Sequence, residues 1–177
     1  MRIISGTHKS RTIHTPKNLP VRPTTDFAKE SLFNILGNHF DFNGLKALDL
    51  FCGTGNITYE FASRGCTDIT AIESNYHCYS FVKKTSAEFG FKGIKAIKSN
   101  VFFFLKTCTG KFDVIFADPP YEMEGIEKIP ELVFEKQLLG KGGWLVIEHS
   151  AKKTFTSEYL VQKRNYGKVN FSIFEQA

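Results

Sequence analysis

From residue 45 onward the chain alternates short apolar runs with stretches of helical spacing, and no other feature constrains its fold as strongly. Leu45–Phe51 reads as a strand, followed by a helical stretch to Arg64 that stops at Gly65. Asp68–Glu73 is a second strand, Tyr76–Phe89 a second helix, and Ile94–Ser99 a third strand with a short helix through Leu105. Phe112–Ala117, apolar apart from Asp113, has the pattern of a strand covered on both faces. A helix from about Gly125 to Leu139, ended by Gly140, leads to a fifth strand at Trp144–Glu148. Tyr159–Arg164 and Lys168–Phe174 meet at Tyr166-Gly167 and read as a closing antiparallel hairpin. The alternation specifies an α/β fold: a doubly wound, mostly parallel sheet with helices on both faces. Ligands bind such sheets beyond the carboxyl ends of the strands, near the switch in strand order. Residues with chemistry to perform are therefore expected just after strands.

The first 44 residues follow a different pattern. Two short β-branched runs flank Gly6 to Ser10 and suggest a small hairpin, and Pro16, Pro20 and Pro23 keep the next stretch extended. A helix fits from Asp26, with Ala28, Leu32, Ile35, Leu36 and His39 on one stripe and Gly37 or Gly44 at its end. Residues 1–25 are read as a basic arm of the same domain, and residues 26–177 as its main body. The arm carries Arg2, Lys9, Arg11, Lys17 and Arg22 and no acid, whereas the other 18 basic residues balance 18 acidic ones. All of the net charge of +5 thus lies in the arm, which suggests contact with phosphates. The alternative is a solvated tail.

Several classes are excluded early. No apolar run approaches the roughly 18 residues of a membrane span. The opening residues lack a secretory pattern, so the cytoplasm is the expected compartment. Cys52, Cys66, Cys78 and Cys108 form no C-x-x-C pair, and the five histidines are scattered. Reduced thiols and no metal are expected.

Asp49 to Gly55 closes the first strand with a Gly-Thr-Gly turn, where Gly53 and Gly55 let the backbone approach a ligand. A nicotinamide site needs a small third residue where this chain has Thr58. Asp49 would also repel a pyrophosphate, but it suits a ligand bearing an ammonium group. S-adenosylmethionine carries an ammonium and a sulfonium and no phosphate. Glu73, at the end of the second strand, can accept two ribose hydroxyls. Asn100, after the third, can bond an adenine amino group or serve as a helix N-cap. Phe51, Cys52, Thr54, Ser74 and Val101 complete the expected cofactor site, for which S-adenosylhomocysteine is the product.

Asp118-Pro119-Pro120-Tyr121 follows the fourth strand and is the most specific signal in the chain. Two prolines remove two N–H donors, leaving carbonyls as acceptors beside the Asp118 carboxylate. A planar amine with two hydrogens needs such acceptors, and Tyr121 offers a face on which a base stacks. Acceptors on both N–H groups free the amine lone pair and stabilise the positive charge that develops on nitrogen. The base must be extruded or already unpaired to enter.

These two motifs resemble the amino-methyltransferases of class I, Rossmann-like type. Arg2-Ile3-Ile4-Ser5-Gly6, Arg22-Pro23-Thr24-Thr25-Asp26 and Glu30-Ser31-Leu32-Phe33-Asn34 narrow the likeness to the RsmD family, weakest after about residue 150. The resemblance implies methylation of a guanine N2 in small-subunit (16S) ribosomal RNA, within an assembled or partly assembled subunit. It also implies that Arg22 and Thr24 border the cofactor and the target base. Arg2, Lys9, Arg11 and Arg22 are the expected RNA contacts, and a monomer is expected. Cys52, Thr54 and Asn100-Val101 depart from many members, which have Ala, Ser and Asp-Ala there. Two rivals are an adenine-N6 methyltransferase, for which the same tetrapeptide serves, and a non-catalytic nucleic-acid-binding module.

Overall fold

A computed structural model describes residues 1–16, 19, 25–167 and 169–177. Lys17, Arg22, Thr24 and Lys168, singled out above, lie outside these described residues. The elements run α1 (Asp26–Gly37), β1 (Lys46–Leu50), α2 (Asn56–Ser63), β2 (Asp68–Glu73), α3 (Tyr76–Glu88), β3 (Ile94–Lys98), α4 (Val101–Thr107), β4 (Phe112–Ala117), α5 (Lys128–Glu135), β5 (Leu139–His149), β6 (Leu160–Tyr166) and β7 (Val169–Glu175).

The strands form one sheet in the order β3-β2-β1-β4-β5-β7-β6. β1 to β5 are parallel, while β7 runs antiparallel between β5 and β6. Order reverses between β1 and β4, so the crevice at their carboxyl ends is the natural ligand site. Both faces of the central strands are covered, which is why they read as unbroken apolar runs. Val114 and Phe116 of β4 pack with Leu32, Phe33 and Phe61 on one face. Ile115 and Ala117 pack with Leu105, Ile129 and Val133 on the other.

Three segments differ from the sequence reading. The helix expected from Gly125 to Leu139 is confined to Lys128–Glu135, because Gly125 (φ 77°) and Gln137 (φ 51°) adopt left-handed backbone that no α-helix contains. Gly140 therefore does not end a helix but lies inside β5, which begins at Leu139. The buried face of α1 is Ala28, Lys29, Leu32, Phe33 and Leu36, while His39 lies beyond its end and is exposed.

The small N-terminal hairpin forms around the Arg2–Thr12 bridge, with the Ile3 N–H donating to the Arg11 carbonyl and the Ile13 N–H to the Met1 carbonyl. In its turn the Ile4 and Ser5 N–H groups donate to the Glu60 carboxylate at 2.9 and 3.0 Å. Lys29 Nζ lies 3.4 Å from the same carboxylate, and both side chains are almost wholly buried. With Ile3 and Ile13 packed against Tyr59, Ala71 and Val82, residues 1–16 of the arm are docked on the body and are not a solvated tail.

Candidate active site

One cleft of about 1040 Å³ opens at the carboxyl ends of the parallel strands. It is lined by Asp49, Phe51, Cys52, Gly53, Thr54, Glu73, Ser74, Asn100 and Val101, and equally by Asp118, Pro119, Pro120 and Tyr121. Along the chain these residues end or follow four different strands, β1, β2, β3 and β4; the sheet brings them into one space. That volume is at the upper end for ligand pockets and suits a cofactor together with a second group. Gly55 is not among the lining residues. A Cβ there would meet the Tyr59 ring at 2.6 Å, and its φ is 86°, so this glycine serves the packing of α2.

Asp49 sits in β1 with 1% exposure, and its Oδ2 accepts the Thr58 hydroxyl. Burial pushes its carboxyl up to about 7, with Asp118 and Glu73 adding repulsion against the Thr58 bond. No cation pairs with it among the described residues. A carboxylate so placed is completed by a cationic ligand, and the ammonium of S-adenosylmethionine fits that requirement.

Glu73 shapes the cofactor loop. Its Oε2 accepts the Gly53 N–H at 2.9 Å and its Oε1 the Asn75 N–H at 2.7 Å. A carboxylate has about four acceptor positions, so two such bonds leave it able to accept further donors from the cleft. Phe51 in the same loop is left-handed (φ 61°), an uncommon state for a non-glycine residue and one that clusters at functional sites. Asn100 realises its N-cap reading: Oδ1 accepts the Phe103 N–H at 3.1 Å while the residue borders the cleft. Burial raises the Cys52 thiol well above its ordinary value, which keeps it protonated. All four cysteines are free.

The proline turn needs one correction. The Pro120 carbonyl accepts the Met123 N–H at 2.8 Å, because the chain turns back at Tyr121-Glu122. Of the two carbonyls expected to face a ligand, Pro120's is thus engaged, and Pro119's is the candidate beside Asp118. Tyr121 is 46% exposed at the cleft.

Sequence reasoning missed Thr58 as a partner of Asp49, and it missed Glu148. Glu148 lines the cleft from β5, is 4% exposed, and has its carboxyl pushed up to about 8 by burial and then by Asp118. An acid at the end of an otherwise apolar strand was the available signal. The basic arm is also placed unexpectedly. His8 bonds Ser63 at the end of α2 and the Phe89 carbonyl just after α3, and Arg11 lies over the Phe89 ring. Both helices begin at the cleft and run away from it. Thirteen helical residues span about 20 Å, so Lys9 and Arg11 sit at the far edge of the sheet. Arg2 pairs with Asp26 at the start of α1. Lys152 and Lys153, by contrast, line the cleft, and Lys153, Lys163 and Arg164 line a smaller pocket of about 220 Å³ beside His149.

A sheet ordered 3-2-1-4-5-7-6 with one reversed strand is the architecture of class I methyltransferases, and this chain has that fold. The model of a family described as Conserved hypothetical protein 95 matches residues 1–175. The chain belongs to that family, the RsmD family of ribosomal RNA methyltransferases. YlbH of Bacillus subtilis is 32% identical over 99% of both chains. Ribosomal RNA small subunit methyltransferase D of Buchnera aphidicola is 32% identical over 86% of this chain and 79% of its own. Among solved structures, yhhF of Escherichia coli superposes with a TM-score of 0.86 at 24% identity, covering 99% of this chain and 97% of its own. An RNA methyltransferase from Salinibacter ruber in complex with S-adenosyl-L-homocysteine gives 0.67 at 14% identity, covering 87% and 93%. No helix among the described residues is long and apolar enough to cross a membrane.

Proposed function

We propose that this chain transfers a methyl group from S-adenosylmethionine to the exocyclic N2 amine of a guanine in 16S ribosomal RNA. The observation that carries the reading is the single cleft joining a buried, cation-seeking Asp49 to Asp118-Pro119-Pro120-Tyr121. Bound there, S-adenosylmethionine supplies an electrophilic methyl group on a sulfonium. Asp49 takes the ligand ammonium, Glu73 the ribose, and the loop from Phe51 to Thr54 packs on the ligand with Ser74, Asn100 and Val101 as the opposite wall. Asp118 and the Pro119 carbonyl accept the two amine hydrogens of the base. The lone pair then turns toward the methyl carbon, and the positive charge that develops on nitrogen is met by the Asp118 carboxylate. A methylated aryl ammonium loses its proton readily, so no strong base is needed beforehand. Tyr121 supplies a stacking face for a base taken out of its helix.

The substrate is the small-subunit RNA, held in the cytoplasm within an assembled or partly assembled subunit by a monomeric enzyme. Lys152 and Lys153, which line the cleft, are the cations offered to the RNA there, with Arg2 at the start of α1, and family likeness adds Arg22 and Thr24 as contacts to the cofactor and target base. Lys9 and Arg11 reach only RNA that extends across the far edge of the sheet.

The test is mass spectrometry of 16S RNA nucleosides from cells with and without the gene, followed by methylation of the unmodified subunits by purified protein. N2-methylguanosine should disappear at one position and return on addition of protein. Restoration of N6-methyladenosine instead would overturn the guanine assignment.

A further inference from the structure

Glu148 lies in the cleft but belongs to neither motif. Ile147 is the register partner of Ala117, so the next residues along the two parallel strands, Glu148 and Asp118, are neighbours across the sheet. Strands about 4.8 Å apart place these two acids side by side. Glu148 is 4% exposed, and its Oε2 has no hydrogen-bond partner among the described residues. The preceding residues Leu145, Val146 and Ile147 are apolar and buried. Packing alone asks for another apolar residue here, since a buried acceptor without a donor is costly. An acid in that place, facing a ligand cleft, awaits a donor brought by the ligand.

We propose that Glu148 selects the base, accepting the N1–H of guanine while Asp118 and Pro119 hold the N2 amine. The inference rests on the guanine reading above. Guanine presents N1–H and its N2 amine side by side on one edge, both as donors. Two acids on neighbouring strand ends match that edge. Adenine presents a bare N1 lone pair beside its amine, so against a Glu148 carboxylate one lone pair would face another. A site built to bond one group rejects an analogue lacking it by roughly 10⁴-fold, because the site's own polar atom is then left unpaired. Burial and the adjacent Asp118 raise the Glu148 pKa to about 8, so at neutral pH guanine must displace a proton from it. A guanine N1–H favours the carboxylate, so the preference for guanine should grow as pH rises through that value.

The test replaces the target guanine, once mapped, by 2-aminopurine in reconstituted small subunits. This base keeps the 2-amino group, exchanges N1–H for a lone pair and lacks O6, so the change in preference between wild type and Glu148→Gln isolates the N1 contact. Wild-type protein and Glu148→Gln, both verified for S-adenosylmethionine binding by calorimetry, are compared on the two substrates. Wild type should favour guanine by at least a hundredfold in kcat/KM. Glu148→Gln carries an N–H₂ that the 2-aminopurine N1 accepts. It should narrow the preference at least tenfold, chiefly through KM, a change that a purely structural residue would not produce. The same preference in both proteins would overturn the role of Glu148 and leave the guanine reading intact. A wild-type product of N6-methyladenosine would overturn the guanine reading and this inference with it. Should Glu148→Gln fail to fold, the wild-type ratio is followed from about pH 6 to 9: a guanine preference that rises through about pH 8 supports the role of Glu148, and a pH-independent ratio or a value near one overturns it.

Discussion

The Glu73 carboxylate accepts the Gly53 N–H at 2.9 Å, tying the end of β2 to the loop that follows β1. One side chain therefore shapes this loop and lines the cleft, where we propose that it also accepts the ribose hydroxyls. Glu73→Ala removes both functions. Charged hydrogen bonds contribute roughly 1.5–3 kcal/mol each, so affinity for S-adenosylmethionine should fall at least tenfold by calorimetry. Glu73→Gln should do nearly as badly, because its amide N–H₂ confronts a backbone N–H. A Gln variant with wild-type affinity would show that the loop does not depend on this contact.

Asp49 sets stability against binding. Its folded pKa of about 7 stands above the ordinary value of 3.8. Between those values the unfolded chain is ionised while the folded one keeps its proton, so stability falls as pH rises from about 4 to 7 and is level above. The cost is at most about 4 kcal/mol. Asp49→Asn removes it: the ligand-free protein should melt about 5 °C higher at pH 8 and unchanged at pH 4. The same variant should lose cofactor binding, and wild-type affinity should fall about tenfold per pH unit below 7. Thermal melts and titrations over this pH range decide the matter.

Asp118→Ala should lower kcat far more than cofactor affinity, since its charge matters most as the nitrogen becomes positive. Tyr121→Ala should impair base positioning, whereas Tyr121→Phe keeps the stacking face and stays active. Single-turnover methylation separates the two effects. Equal inactivity of both Tyr121 variants would assign the work to the hydroxyl.

The Lys29–Glu60 pair holds the arm. Glu60 meets Lys29, Arg64 and the Ile4 and Ser5 N–H groups, and burial lowers the Lys29 pKa against the pull of Glu60. Breaking one partner of a buried pair costs about 3–5 kcal/mol. Glu60→Gln should lose that much in denaturant unfolding, with faster hydrogen exchange at Ile4 and Ser5.

RNA affinity should depend on the cations near the cleft. Each phosphate contact adds a salt slope of about 0.7–0.9. Replacing Lys152, Lys163 and Arg164 by Gln should flatten log affinity against log salt by roughly 2 units, and replacing Lys9 and Arg11 by less than 1. The opposite ranking would return the RNA contact to the tip of the arm.

The sequence by itself determined the parts whose signals are local. Strand and helix periods are set by neighbours along the chain, so β2 and β4 were legible to the residue and most other elements to within a few. Asp49, Glu73 and Asp118 were legible because a doubly wound sheet delivers residues after its strands to one crevice. Whatever depends on distant partners was decided by tertiary structure. Glu60 tied the turn of the N-terminal hairpin to α2, and left-handed backbone at Gly125 and Gln137 shortened α5. Charge counted along the chain points to the arm for RNA contact; only folding sets Arg11 over the Phe89 ring and gathers Lys152, Lys153, Lys163 and Arg164 around the cleft and the pocket beside it. Glu148 belonged to no motif, because its meaning comes from standing beside Asp118 on the neighbouring strand, a relation that exists only once the sheet has formed.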